Sequence, residues 1–301
     1  MENKTVELSK MFLKWRGSLK KRESLSGLFF SGPAFIVLFL VILFPFTYVI
    51  YISFFKKIFG AEAVFVGLQN YIETLSDPLF YHSFYVTLFY TLISVALKLL
   101  CGLGLALLLS QNFRGRSIVR TICIIPWSLP LFVVAIIFWW FFDYNLGLAN
   151  QLLSKLFNIK VPWLGVDFAV WSIIITNVWK GIPFFMVNFL GALQTVPKQL
   201  YDAAEIDGAS AWNKFLHVTL PCIKYVILVV CLLSIIWTFG EFDTVFFLTR
   251  GGPGYVTFII PILIYYHAFS RFDLGIASAV SVLTVPLFLM LIALIVRELR
   301  R

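Results

Sequence analysis

The segment YDAAEIDGASAWNKFLHVTLP, Tyr201 to Pro221, interrupts a chain that is otherwise strongly apolar. It carries the carboxylates of Asp202, Glu205 and Asp207, a glycine at 208 and a closing Leu220-Pro221. Pro197 suits the start of a helix, where its missing N–H would be unpaired in any case, so Lys198 to Ile206 can wind for about two turns. Asp207-Gly208 breaks that helix. A second one, from Ser210 or Ala211, gathers Trp212, Phe215, Leu216 and Thr219 on one face, and Leu220-Pro221 is expected to end it. The product is a helix-turn-helix elbow. Ala203 and Ala204 permit close approach of another backbone, and the carboxylates offer charge to a basic partner. Two readings stay open: a socket element for a partner protein, or a cap that only joins two apolar segments.

The composition says where such an elbow must sit. Hydrophobic residues make up 60% of the 301 and charged residues 13%, against about 45–50% and 25% in soluble domains, so a single water-facing core cannot hide this surface. This is the composition of a membrane protein. About 20 apolar residues are needed for a helix to cross the hydrocarbon with its backbone satisfied internally. The uncharged runs predict six spans, at about 28–54, 85–109, 118–142, 168–193, 223–247 and 274–296, in an all-α polytopic bundle with the elbow in the connection 194–222. Gly251 to Ser270 is also uncharged, but Gly-Gly-Pro-Gly, Pro261 and His267 leave too short a stretch to cross. It reads as an outer loop with a re-entrant or interfacial helix.

Basic residues test this topology, because they concentrate on the cytoplasmic side. With the N-terminus inside, the cytoplasmic segments hold Lys4, Lys10, Lys14, Arg16, Lys20, Lys21 and Arg22, then Arg114, Arg116 and Arg120, then Lys198, Lys214 and Lys224, then Arg297, Arg300 and Arg301. The outer segments hold only Lys56, Lys57, Lys155, Lys160, Arg250 and Arg271. Both termini are therefore expected in the cytoplasm. The net charge of +9 needs no nucleic acid to explain it, since anionic inner-leaflet lipids favour the same placement. Residues 1–27 form a basic leader. Leu8, Met11, Phe12, Trp15 and Leu19 suit an interfacial helix, or the leader is solvated and only orients the first span.

Several chemistries are missing. There is no Gly-Lys dipeptide and hence no phosphate-cradling GxxxxGK[ST] loop, nor is there a GxSxG or HExxH motif. Cys101, Cys123, Cys222 and Cys231 form no CxxC, and His82, His217 and His267 are far apart, so neither a disulfide framework nor a metal site is indicated. Lys98 and Lys180 lie within predicted spans, and Glu241 and Asp243 near the end of the fifth. No role for Lys98 follows from sequence.

The elbow carries a resemblance. Asp202-Ala203-Ala204, three residues, Gly208, nine residues, Val218, one residue and Leu220-Pro221 resembles the EAA signature of binding-protein-dependent ABC importer permeases. Asp202 stands where glutamate is usual and Val218 where isoleucine is. FDTVFFLTRGGPGYVT, Phe242 to Thr257, resembles a stretch of the carbohydrate-uptake branch. FVGLQNYIETLSDPLF (65–80), FRGRSIVRTICIIPWSLP (113–130) and LGIASAVS (274–281) extend the likeness over most of 28–301.

The resemblance implies a non-catalytic permease subunit of the bacterial or archaeal plasma (inner) membrane. Its implied partners are a second homologous permease in a heterodimer, a cytoplasmic ATPase dimer that binds the ATP and Mg, and an extracytoplasmic solute-binding protein that delivers a sugar. It binds no cofactor itself. The elbow becomes a coupling element whose contact residues are Asp202, Ala203, Ala204, Glu205, Asp207, Gly208, Trp212, Leu220 and Pro221.

A sugar requires hydrogen bonds at its hydroxyls and aromatic faces against its C–H surfaces. Asn177, Trp179, Lys180 and Asn188 on the fourth span, and Trp237, Thr238, Glu241 and Asp243 on the fifth, offer both. Asn177 and Lys180 share a helix face, as do Trp237 and Glu241. Trp139, Trp140, Trp163 and Trp171 read instead as interfacial anchors. Pro126, Pro130, Pro183 and Pro286 either bend their helices for motion or are static kinks. Rival readings are a stand-alone channel or ion-coupled transporter, for which no internal repeat is visible, and a lipid-modifying membrane enzyme, for which no acid–base pair is.

Overall fold

The computed structural model describes residues 30–299. The leader 1–27 and the terminal Arg300 and Arg301 lie outside the described residues. The chain divides into two compact units, Met1–Ile52 and Ser53–Arg301.

Within the first unit α1, Phe30–Ile52, is an apolar helix of 23 residues, about 35 Å long at 1.5 Å per residue and enough for a hydrocarbon core of about 30 Å. Its middle, Phe39–Leu43, is a π-helical turn in which Phe44 N–H donates to Phe39 O. Pro45 follows immediately. Proline has no N–H and its ring collides with the carbonyl four residues back, so a locally widened turn lets the helix continue past it. The Thr47 hydroxyl donates to Leu43 O and Phe44 O, both at 2.9 Å.

The second unit begins with a short antiparallel pair, β1 (Phe55–Lys56) and β2 (Val64–Phe65), with Phe55 opposite Phe65. Helix α2, Gln69–Ser76, ties to it through Asn70 Nδ2, which donates to Ser53 O at 2.8 Å and Phe55 O at 2.9 Å. Helix α3, Pro78–Ser110, opens on an Asp77 cap that accepts from Leu79 N at 2.8 Å. Its 33 residues extend the span predicted at 85–109 by more than a turn at its start. Helices α4 (Arg116–Ser128) and α5 (Leu131–Phe141) meet at 98°. The predicted single span 118–142 is thus broken at Leu129-Pro130, because the residue before proline is driven out of the helical region; Leu129 has φ −77° and ψ 142°. Pro126, Pro183 and Pro286 remain inside helices.

After α6, Leu148–Phe157, comes α7, Ala169–Gln194, which packs chiefly against α3. The approach is close. A Cβ at Gly102 would run into Phe185 Cβ and stand 3.2 Å from Met186 N. Helix α8 is Lys198–Ile206, and α9 runs from Ala211 to Phe239. The expectation that Leu220-Pro221 ends the elbow's second helix is corrected here. A π-helical turn, Phe215–Thr219, precedes this proline as one precedes Pro45, and the helix continues through it.

The predicted fifth span, 223–247, instead stops at Phe239; residues 240–242 are non-helical and α10, Asp243–Leu248, follows. Helix α11, Ile260–Ser270, is too short to rank among the candidate spans, and α12 is Leu274–Leu299. The result is an all-helical membrane bundle that has, among the described residues, five candidate spans, or six if α4 and α5 count as one.

Three apolar clusters follow one another along α7. Ile173 and Ile174 pack with Tyr90, Val134, Phe138, Val245 and Leu263, Phe185, Met186 and Phe189 with Val95 and Val230, and Ala192 with Val196 and Ile223. The polar cavity described below is lined from the same stretch of α7, at Asn177 to Phe185.

Candidate functional site

The elbow is held by small, local interactions. Gly208 adopts φ +73°, a left-handed conformation that glycine enters without steric cost and that closes α8. Ser210 caps α9, its Oγ accepting from Asn213 N at 3.3 Å. Lys214 Nζ pairs with Glu205 Oε2 at 3.1 Å across the bend, while the hydroxyls of Tyr201 and Thr219 are 2.9 Å apart. Tyr201 and Val218 pack on the Ala192, Val196, Ile223 cluster, which fixes the elbow to the ends of α7 and α9. One face is anchored and the other is presented to the surroundings. Asp202, Ala203, Glu205, Asp207, Gly208 and Trp212 are exposed, as is Pro221, whereas Ala204 and Leu220 are half-buried.

A second site lies among the helices. A cavity of about 240 Å³ is lined by Lys98 of α3, Trp127 of α4, Leu131 of α5, Asn177, Lys180, Gly181, Phe184 and Phe185 of α7, and Ser234, Trp237, Thr238 and Glu241 from α9 and the break after it. Both oxygens of Glu241 are engaged: Asn177 Nδ2 donates to one and Thr244 Oγ1 to the other. Lys98 is buried and donates to Thr238 Oγ1 at 3.0 Å. Lys180 Nζ donates to Trp127 O at 2.6 Å, and Trp237 meets the ring of Phe184 edge-on at 5.0 Å. Charges among spanning helices are costly unless they are partnered or serve a pathway. Here they face a shared space with aromatic walls.

The structure therefore brings Asn177, Lys180, Trp237, Thr238 and Glu241 together. Trp179, Asn188 and Asp243 do not line this cavity. Trp179 is two residues from Asn177, about 200° around the helix, and packs on Phe138 at 5.3 Å. Asn188 lies two turns beyond Lys180 and donates to Phe184 O at 2.7 Å. Asp243 follows the break and starts α10. Sequence reasoning missed Trp127, Ser234 and the role of Lys98, whose only signal was a lysine inside an apolar run.

A multi-helical bundle with charged and polar side chains around a cavity among its helices, and an exposed elbow bearing three carboxylates, suits a membrane permease. Comparison with known proteins makes the class specific. The chain belongs to the family of binding-protein-dependent transport system inner membrane components, whose model matches residues 98–300. It is 38% identical over 273 residues to the trehalose/maltose transport system permease protein MalF of Thermococcus litoralis, covering 90% of this chain and 92% of that protein. It is 35% identical over 294 residues to the sulfoquinovosyl glycerol transport system permease protein SmoG of Agrobacterium fabrum, covering 97% and 96%. A solved bacterial ABC transporter involved in the import of the acidic polysaccharide alginate contains a chain of the same fold, with TM-score 0.80 at 21% identity over 94% of this chain and 98% of that one. This protein is accordingly a non-catalytic, multi-pass inner-membrane permease subunit of an ABC importer that works with a periplasmic binding protein. Family membership also sets aside the channel and lipid-enzyme readings.

Proposed function

We propose that the permease moves a carbohydrate released by the binding protein, and that the elbow couples this movement to a separate ATPase. The cargo class is supported by the sugar transport named for the relatives in Thermococcus litoralis and Agrobacterium fabrum. It is supported as well by a cavity that pairs indole faces with amide, hydroxyl and charged groups. In this reading 1–27 is a cytoplasmic leader, 28–301 the permease domain with both termini inside, and 194–222 the coupling loop. A second homologous permease completes the pathway as a heterodimer, and two ATPase subunits hold the ATP and Mg.

The observation that carries the coupling role is the division of the elbow into two faces. Tyr201, Val218 and Thr219 fasten one to the bundle, while Asp202, Ala203, Glu205 and Asp207 are exposed on the other. A push on the exposed face would be transmitted to α7 and α9 as a unit, which is a rigid-body route to a gate. Asp202, Ala203, Ala204, Glu205, Asp207, Gly208 and Trp212 are the proposed contacts, with Leu220 and Pro221 at the hinge side. Asn177, Lys180, Trp237, Thr238 and Glu241 are the proposed sugar contacts. The test is uptake of labelled sugars by a deletion strain carrying wild-type or Gly208→Pro protein. Uptake of a saccharide that the variant abolishes, with membrane insertion intact, is the expected result. Normal uptake by Gly208→Pro would remove the coupling role, and uptake of no saccharide by wild type would remove the cargo class.

A further inference from the structure

The cavity's charges do not balance. Two ammonium groups, Lys98 and Lys180, face one carboxylate, Glu241. Among the described residues neither lysine has a carboxylate within ion-pair distance, and the ion pair they do contain, Lys214–Glu205, lies at the elbow. Glu241 is already satisfied by Asn177 and Thr244. Lys98 spends one N–H on Thr238 and Lys180 one on the Trp127 carbonyl, which leaves each ammonium with two further donors. Glu241 can balance one of the two ammonium groups, so among the described residues the cavity keeps one positive charge in excess.

A neutral sugar would enter this space and leave that charge uncompensated. A sugar bearing an anionic substituent would neutralise it and accept charge-assisted hydrogen bonds, which are about twice as strong as neutral ones. Lys180 is well placed for this. It is half-buried, on the same face of α7 as Asn177, and its tether to Trp127 holds the ammonium beside an exposed indole that can cover a sugar ring. Gly181 makes room for the Lys98 side chain: a Cβ there would stand 2.6 Å from Lys98 Cε, so a larger residue would push the end of the buried lysine aside.

We infer that the cavity selects an acidic saccharide, one carrying a carboxylate, sulfonate or phosphate, and that Lys180 is the residue that receives the anionic group. This rests on the carbohydrate reading above and narrows it. The experiment uses the intact transporter in cells, and measures transporter-dependent uptake of matched labelled pairs: D-glucose with D-glucuronate, maltose with maltose 6-phosphate, and glucose with glucose 6-sulfate.

The expected result is uptake of an anionic member in preference to its neutral partner. Lys180→Gln should lower that uptake by about ten- to a hundredfold, the loss of one hydrogen bond to a charged group, and Lys180→Arg should restore most of it while co-purification of the ATPase is unchanged in both. Uptake of neutral saccharides alone, or anionic uptake unaffected by Lys180→Gln, would overturn the inference and leave the carbohydrate reading intact. Uptake of no saccharide would overturn both.

Discussion

Lys98 Nζ donates to Thr238 Oγ1 at 3.0 Å, joining α3 to α9 through residues 140 positions apart in the chain. Gly181 of α7 lies against the lysine stem, so three helices meet at one ammonium group. Its cost in a low-dielectric setting is repaid by this hydroxyl and by the nearby Glu241 carboxylate, on an arrangement that none of the three helices supplies alone.

The first expectation concerns that junction. Gly181→Val should displace Lys98 and weaken the bundle by about 1–3 kcal/mol, the usual range for overpacking. Lys98→Met and Thr238→Val should each destabilise, and the double variant should cost less than the sum because the two share one bond. Unfolding of the purified protein in detergent measures all four. Strict additivity would show that the bond contributes nothing.

Close packing of α3 on α7 gives a second. Gly102→Leu should destabilise, by about 1–3 kcal/mol, because the added side chain meets Phe185 and the α7 backbone. Gly104 on the same helix faces open space, so Gly104→Ala should be neutral or gain up to about 1 kcal/mol of helix propensity. Equal responses at the two positions would contradict the packing described.

At the elbow, the Glu205–Lys214 pair is partly exposed, with Glu205 three-quarters accessible. Glu205→Gln should therefore change stability by no more than about 1 kcal/mol. Its effect on uptake is expected to be larger than its effect on stability, since the exposed carboxylate belongs to the proposed contact face. A thermal melt beside an uptake assay separates the two.

Much of the elbow was legible because its signals are local. Pro197, Asp207-Gly208 and Ser210 act within about one helical turn of themselves, and each sits where its backbone chemistry predicts. Leu220-Pro221 misled for the opposite reason: proline is a stop only if the helix cannot widen, and a π-helical turn at Phe215–Thr219 lets it widen. The same accommodation occurs before Pro45 but not at Pro130, where the chain turns through 98°. The cavity was half legible. Helical spacing placed Asn177 and Lys180 on one face, but the break at 240–242 and the pairing of Lys98 with a residue on a distant helix are decided by tertiary packing, which no local pattern records.

The coupling face is tested most directly by a cysteine introduced at Ala204, in a chain whose four native cysteines are replaced, and cross-linked with a short thiol-reactive reagent in intact cells. A covalent adduct with a nucleotide-hydrolysing polypeptide is expected, with a yield that changes when ATP is depleted. An Ala204→Cys protein that inserts and transports normally yet captures no such companion would contradict the coupling role.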